Sequence, residues 1–356
     1  MWSSWCAATL SLAGCFALAS GCHSASSPGT AGPGGSATST SKADLSEHDV
    51  QLLPVGGALA QRKSEISGFA WYKDRLIVLP QRPATWNPTC SPGCFSTLDR
   101  AAIERAVAGD PTPLEAQMLP VRGVEKITSL EGVQGLEAIA LQGERVFMLV
   151  EAQSKDRHMR GYLALGHVEG NLDAIVIDSV SSIELPAQTG VDNLSYEAVV
   201  ATPDQVVAIY EANGALNPTP RVLCFDPAGQ HIETKVFPHI EYRITDAAPP
   251  DPGGYFWTIN YFYPPELALA CNSDELNERF GVAAPPPKGV SVERLVRMRI
   301  DKGAITLAPD PPIRLRTIAN QPRNWEALAV LPGKGFIIAT DMYPATMMGF
   351  VRYPVP

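Results

Sequence analysis

Five short stretches of this chain begin and end on residues that could hold a cation or move a proton. Ser67 and Gln81 bracket the first, Glu137 and Glu151 the second, Glu197 and Glu211 the third, Asp246 and Asn260 the fourth, and Glu326 and Asp341 the fifth. The members of a pair stand fourteen residues apart in four cases and fifteen in one. Most of the ten are acidic, and carboxylates gathered at one place repel each other and hold their protons more tightly. Three arrangements relieve that repulsion. Backbone amides of a neighbouring element can cap each carboxylate, which then only locks the fold. A hard cation can be bound, and Ca²⁺ suits carboxylate, amide and water oxygens. Or the acids can share protons in a site for acid–base chemistry. The cation arrangement would use Glu137, Glu197, Asp246, Asn260 and Glu326 as ligands. It would leave Glu151, Glu211 and Asp341 as candidate general bases.

The elements between these residues explain the spacing. Ile66–Trp71 is an apolar run, Lys73-Asp74 a turn, and Arg75–Leu79 a second apolar run. Leu136–Leu141, Gln142-Gly-Glu144 and Arg145–Val150 repeat the pattern, as do Tyr196–Ala201 with Val206–Tyr210, Thr245–Pro250 with Tyr255–Ile259, and Trp325–Val330 with Phe336–Thr340. Runs this short, rich in β-branched and aromatic residues and broken by Gly, Pro or Asp, read as β-hairpins. Small residues crowd the first run of each (Gly68, Ala138, Ala198, Ala247, Ala327), as the innermost strand of a radial array requires. Two further strand-like runs follow most hairpins, for example Arg221–Phe225 and Ile232–Phe237. Four strands per repeat, arranged radially, make a β-propeller. The expected fold is therefore all-β, a single propeller of four-stranded blades over residues 45–356. Five blades are expected, and a sixth, degenerate one between Gln81 and Gly135 is the alternative, although Arg100–Val107 there reads as a short helix. The last repeat lacks a fourth strand, which Val50–Val55 can supply, removing an open sheet edge. Residues 268–289 form an insertion expected to be a surface loop.

The segments Ser67-Gly-Phe-Ala, Tyr196-Glu-Ala-Val, Ile244-Thr-Asp-Ala and Asn324-Trp-Glu-Ala-Leu-Ala-Val-Leu-Pro-Gly resemble the phytase-like domain, also described as the esterase-like activity of phytase. The resemblance spans roughly Glu65 to Tyr353. It implies a metal-dependent ester or phosphoester hydrolase working at the mouth of the central channel. More distantly, the pattern is similar to gluconolactonase and paraoxonase-type propellers, which hold a catalytic metal there with Glu, Asn and Asp. This chain has Ile259-Asn260-Tyr261 where the phytase-like family tends to have Leu-Glu-Arg, and Thr340-Asp341-Met342-Tyr343 where it tends to have Asp-Asp-Asn-Phe. The other reading is a non-catalytic module that binds a ligand or protein on the propeller face. No Gly-x-Ser-x-Gly or His-Glu-x-x-His motif is present, and all six His fall outside the hairpin ends.

The remaining features concern place rather than chemistry. The first 22 residues hold no Asp, Glu, Lys or Arg and end in Ala19-Ser-Gly-Cys22. This reads as a lipoprotein leader with Cys22 as the lipidated residue. Leu12-Ala-Gly-Cys15 is a competing match but leaves a very short apolar region. Residues 23–44 are mostly Ser, Gly, Ala, Thr and Pro and read as a disordered tether. The chain is thus expected at the bacterial cell envelope, on the periplasmic face or the outer surface, meeting the membrane through its lipid alone. The formal net charge of -9, with no basic cluster, argues against nucleic acid. The expected partner is a small-molecule ester or phosphoester, or an envelope ligand, bound by a monomer. In an exported chain Cys90 and Cys94, in the turn Thr-Cys-Ser-Pro-Gly-Cys, read as a local disulfide, while pairing of Cys224 with Cys271 is left open. Replacing Cys22 by Ser is expected to move the protein from the membrane to the soluble fraction of lysed cells. Release by Cys15→Ser instead would reassign the lipid.

Overall fold

The computed structural model describes residues 46–181, 183–281, 289–319 and 321–355. The leader, Cys22 and the tether lie outside them. Four-stranded antiparallel units dominate. The first runs Ile66–Tyr72, Arg75–Pro80, Cys94–Asp99, Gln117–Arg122, and the second Val133–Gln142, Arg145–Gln153, Met159–Glu169, Ala174–Val180. The third is Tyr196–Ala201, Val206–Tyr210, Arg221–Phe225, His231–Val236. The fourth begins Arg243–Ala247, Tyr255–Phe262, Val292–Asp301, and its outer edge is shared by Ala304–Leu307 and Ile313–Leu315. The stretch offered as a sixth repeat supplies the outer strands of the first, with Arg100–Val107 as the expected helix between them.

The fifth unit, Trp325–Leu331, Gly335–Thr340 and Met348–Arg352, is completed by Val50–Leu53, which pairs antiparallel from Val50 opposite Val351 to Leu53 opposite Met348. Beginning and end of the described chain are thereby stitched into one sheet. Glu47–His48 adds a parallel pairing onto Ile313–Leu315. A second stitch joins the first two units, whose outer strands pair in parallel through Val121 and Ile175.

Why these strands are so apolar follows from their two-sided burial. Successive side chains on a strand point to opposite faces. In Arg75–Pro80, Leu76 and Val78 pack against the fifth unit (Ala327, Ile337, Phe350), while Ile77 and Leu79 pack against the second (Ile139, Met148). The same division holds round the molecule, with one apolar cluster between each unit and the next. A strand covered on both faces has no polar face to show, hence continuous runs such as Val206–Tyr210. The five inner strands touch in order, and the last, Trp325–Leu331, touches the first, Ile66–Tyr72. The fold is a β-propeller. Removing residues 46–55 takes away a strand's backbone hydrogen bonds and the buried Leu53. That is expected to cost about 4 kcal/mol or more. Thermal melting of the trimmed domain checks it, and an unchanged melting temperature would contradict closure by this strand.

Candidate functional site

Each inner strand carries a β-bulge, near its start or, in Val133–Gln142, midway, and the bulged residue marks the site. The register slips at Ser67, between Ile66 and Gly68; at Glu137, between Leu136 and Ala138; at Glu197, between Tyr196 and Ala198; at Thr245, between Ile244 and Asp246; and at Glu326, between Trp325 and Ala327. A bulge leaves one residue unpaired and re-aims its side chain. On the partner strand the residue before each bulge faces Pro80, Val150, Tyr210, Asn260 or Thr340, so Gln81, Glu151, Glu211, Tyr261 and Asp341 come next. Four of the five pairs are those expected from spacing.

The fourth is not. Its equivalents are Thr245 and Tyr261, one residue away from Asp246 and Asn260 on each strand. A slip of one residue turns a side chain to the other face. Asp246 is fully buried and accepts from its neighbour Ala247 N (2.8 Å) and from Leu328 N in the fifth unit (2.7 Å). Burial raises its pKa well above the ordinary value, against the pull of these amides and that of Phe69 in the first unit. It is the capping arrangement realised, holding three inner strands together. Asn260 donates to Glu241 O and Arg243 O, both at 2.9 Å, and accepts from Arg294 Nε at 2.6 Å. Arg294 in turn pairs with buried Asp274 at 2.7 Å, pinning the insertion after the fourth hairpin. Neither residue joins the acidic group.

The six remaining acids do converge. Glu197 feels the charges of Glu211, Glu326 and Glu137; Glu326 those of Asp341 and Glu137; and Glu151 that of Glu211. Burial lifts Glu137 to about 8, Glu151 to about 7 and Glu211 to about 7, and puts Glu197 and Glu326 well above the ordinary carboxylate range. Asp341 is raised as well, chiefly by burial. Glu137, Glu151 and Glu211 are buried, whereas Glu197, Glu326 and Asp341 keep part of their surface open.

The protein's own cations offset part of this: Arg243 acts on Glu151, Glu197, Glu211 and Glu326, Arg82 on Glu137 and Glu151, and Arg62 on Asp341. Arg243 opens the fourth inner strand opposite Tyr261, and Ile244 N donates to Glu211 O at 2.9 Å, so the third and fourth units are laced together beside it. Its guanidinium forms a buried ion pair with Glu211, reaches within 3.6 Å of Glu197 Oε1, and grips Glu266 with Nε at 2.9 Å and Nη2 at 2.6 Å. Backbone and side-chain donors add to this. Ser195 N donates to Glu211 Oε1 (2.7 Å), Gln81 Nε2 to Glu137 Oε1 (3.1 Å), Tyr343 N to Asp341 Oδ1 (2.7 Å), and Asn324 Nδ2 to Glu326. Among the described residues no three His, Cys, Asp or Glu are grouped so as to hold a metal ion. Asp246 and Asn260 are turned away, and the glutamates left of the expected ligand set, Glu137, Glu197 and Glu326, are not grouped so as to hold an ion, so the donor set does not fit calcium.

Arg243, Glu266, Thr245, Tyr261 and Asn324 were not singled out from the sequence. A signal for the fourth pair existed. A large apolar residue directly precedes each bulged one (Ile66, Leu136, Tyr196, Ile244, Trp325), which picks Thr245 over Asp246. Cys90 and Cys94 are disulfide-bonded and lie far along the chain from the bulges; Cys224 and Cys271 are free.

No protein-family model matches this sequence, and no curated protein does. The phytase-like resemblance therefore rests on its motifs alone. Among solved structures the chain is similar to the soluble aldose sugar dehydrogenase of Escherichia coli in its apo form, at 11% identity over 86% of this chain and 99% of that one, TM-score 0.45. It is similar to the glutaminyl cyclase of Myxococcus xanthus at 12% identity, 87% and 100% coverage, TM-score 0.42. The catalytic domain of a GH62 α-L-arabinofuranosidase of Coprinopsis cinerea follows at 7% identity, 86% and 96% coverage, TM-score 0.46.

Proposed function

We propose that this chain is a lipid-anchored propeller of the bacterial cell envelope whose acidic channel mouth hydrolyses ester bonds by carboxyl acid–base chemistry, with Asp341 as base and Glu326 as acid. The observation that carries this reading is the open pair itself. Asn324 supports both carboxyls, donating to Glu326 and lowering Asp341. Burial, then the charge of Asp341, keeps the proton on Glu326, while the Tyr343 amide at 2.7 Å favours the charged form of Asp341. Burial raises both, Glu326 well above its ordinary value and Asp341 against the pull of Tyr343 N, Asn324 and Arg62, and two carboxyls held unequally in this way divide the roles of acid and base. Asp341 takes a proton from water as its oxygen adds to the ester carbonyl. Glu326 gives its proton to the departing alkoxide, and the proton on Asp341 then restores Glu326. The phytase-like motifs support the reaction class. The surplus of carboxyls favours a carboxylic ester over a phosphoester, whose anionic oxygens they would repel. Calcium has no part in this scheme.

A second reading has its own support. Arg243 ties up Glu211 and Glu266, as in a framework built for binding rather than turnover. An aryl acetate assay on the purified domain separates the two. Turnover is expected, unaffected by a chelator and cut by Asp341→Asn by roughly 10²–10⁴-fold. No turnover by the unaltered domain sinks the hydrolase and leaves the binding module; loss on chelation restores the metal.

The same cluster makes stability depend on pH. Glu137, Glu151 and Glu211 bind protons more tightly when folded than at their ordinary value of 4.5, at about 8, 7 and 7. Their contribution is fully present below pH 4.5 and is lost as pH rises through 7 to 8. The melting temperature is expected to fall from pH 5.5 to 8.5. Glu137→Gln should flatten part of that slope and gain on the order of 1–2 kcal/mol at pH 8.5. A melting temperature that rises over this range would show that other groups dominate.

A further inference from the structure

A strand at the edge of a sheet leaves a row of unpaired N–H and C=O groups, and proteins pair, cover or shorten such edges. Four of the five units do so. The outer strands of the first two pair with each other, Val121 opposite Ile175 and Arg122 opposite Val176. Val50–Leu53, the outer strand of the fifth, lies beside the helix Arg100–Val107, where Gln51 Nε2 donates to Ala106 O (3.3 Å) and Val107 O (3.2 Å). The fourth divides its edge between the short Ala304–Leu307 and Ile313–Leu315, which Glu47–His48 covers. The third unit is different. His231–Val236 pairs with Arg221–Phe225 on one side, and among the described residues no strand pairs with its other side.

The ladder tells which backbone groups are left over. Phe237 N donates to Pro220 O, and Val236, Lys235, Thr234 and Glu233 follow opposite Arg221, Val222, Leu223 and Cys224 in unbroken register. Hydrogen-bonded pairs alternate along an antiparallel ladder. Lys235 and Glu233 therefore turn their N–H and C=O inward, as Phe237 does, and Thr234 and Val236 turn theirs outward to solvent. The register slips only at Ile232, the bulged residue near the other end. Val236 is 75% and Ile232 49% exposed, and Thr234 between them is exposed too. Lysine is a common guard of bare edges, but Lys235 is drawn off it. Its ammonium donates to Lys302 O in the fourth unit and lies 2.7 Å from Glu233 Oε1.

We propose that this edge is where two copies of the chain meet, pairing Ile232–Val236 antiparallel about a twofold axis at Thr234. Such a pairing sets one residue opposite itself. With Thr234 there, each Thr234 N–H donates to the C=O of the partner's Thr234. Glu233 then stands opposite the partner's Lys235, Lys235 opposite the partner's Glu233, and Ile232 opposite the partner's Val236. Opposite charges and pairs of β-branched side chains are the cross-strand neighbours that stabilise a sheet, and like charges directly opposite destabilise it. Moving the axis by one residue sets Glu233 or Lys235 against itself, so charge selects the register. The strand is complementary to itself, which favours a second copy over a foreign strand. Once paired, the edge is used up and assembly stops at two chains. The monomer expected from the sequence would leave it bare.

Sedimentation velocity of the full chain carrying Cys22→Ser tests this. A dimer is expected at about 100 µM chain, dissociating on dilution as a small interface does. Thr234→Pro removes an outward N–H from each copy and none from the strand's own ladder, a place where an edge strand tolerates proline. It is expected to weaken the dimer by roughly tenfold or more with little change in melting temperature. Glu233→Lys or Lys235→Glu alone should weaken it too, and the two together should restore it. If Thr234→Pro unfolds, the charge exchange, which alters no backbone group, decides. A monomer at that concentration, a dimer indifferent to Thr234→Pro in a folded variant, or a double variant no better than the single ones would overturn the proposal. Mass is read without substrate, so the outcome is independent of ester cleavage at the mouth.

Discussion

Among the described residues each sheet buries apolar side chains on both faces of its inner strands, and a sheet of that kind is stable only when a neighbour covers each side. Leu76 and Val78 face one way, Ile77 and Leu79 the other, and each set meets a different unit. A linear stack would leave two faces bare. A ring leaves none, provided that its last sheet is finished and its first is met. Val50–Leu53 does the finishing, and contact between Trp325–Leu331 and Ile66–Tyr72 does the meeting. Everything at the mouth is downstream of this closure, because only a closed ring brings residues 137, 197 and 326 toward one axis.

Closure also decides where charge can sit. Gly or Ala stands just past each bulge (Gly68, Ala138, Ala198, Ala247, Ala327), and a Cβ on Gly68 would already meet Ile139 at 3.3 Å, so the larger polar side chains sit at the bulges themselves. Glu137, Glu197 and Glu326 take that place, and burial there explains the upward shift of every acid in the group. Repulsion on this scale would open the ring if nothing opposed it. Arg243 opposes it at the seam between the third and fourth units, where Ile244 N on Glu211 O already binds their edges. One guanidinium cannot balance so many acids; Arg82 acts on Glu137 and Glu151 and Arg62 on Asp341, and the rest is met by retained protons and by donors such as Ser195 N and Asn324 Nδ2.

The repeat was legible because two-sided burial writes itself into the chain as apolar runs between turns. The closing strand was legible because the last repeat was one strand short, and the helix Arg100–Val107 because its period differs from that of a strand. The phase of the fourth repeat was misread. Asp246 and Asn260 are acid and amide at a spacing of fourteen, like the true pairs, yet the bulge falls at Thr245, and a shift of one residue puts both on the wrong face. Chemical type was persuasive there, and the apolar residue in front of the bulge was the better guide. Arg243 could not be found from pairs within a hairpin, since its partners Glu211 and Glu266 belong to another unit and to the segment that follows the fourth hairpin. Counter-charges in a closed ring come from neighbours in space, which spacing along one hairpin does not reveal.

The departure of the fourth unit gives the mouth its polarity. Were all five units alike, the axis would carry a symmetric ring of acids suited to a central cation. Instead the fourth unit offers Thr245, whose hydroxyl is spent on Trp325 O at 2.6 Å, and Tyr261, buried beside Arg243. The first offers Ser67 and Gln81. The best-paired cation of the mouth, Arg243, is thereby fixed at the third and fourth units, while Arg82 acts on Glu137 and Glu151 and Arg62 on Asp341, so counter-charge is spread unevenly round it. A ligand entering such a site meets a directional field rather than a ring. That asymmetry is what an oriented substrate requires, and a spherical ion does not.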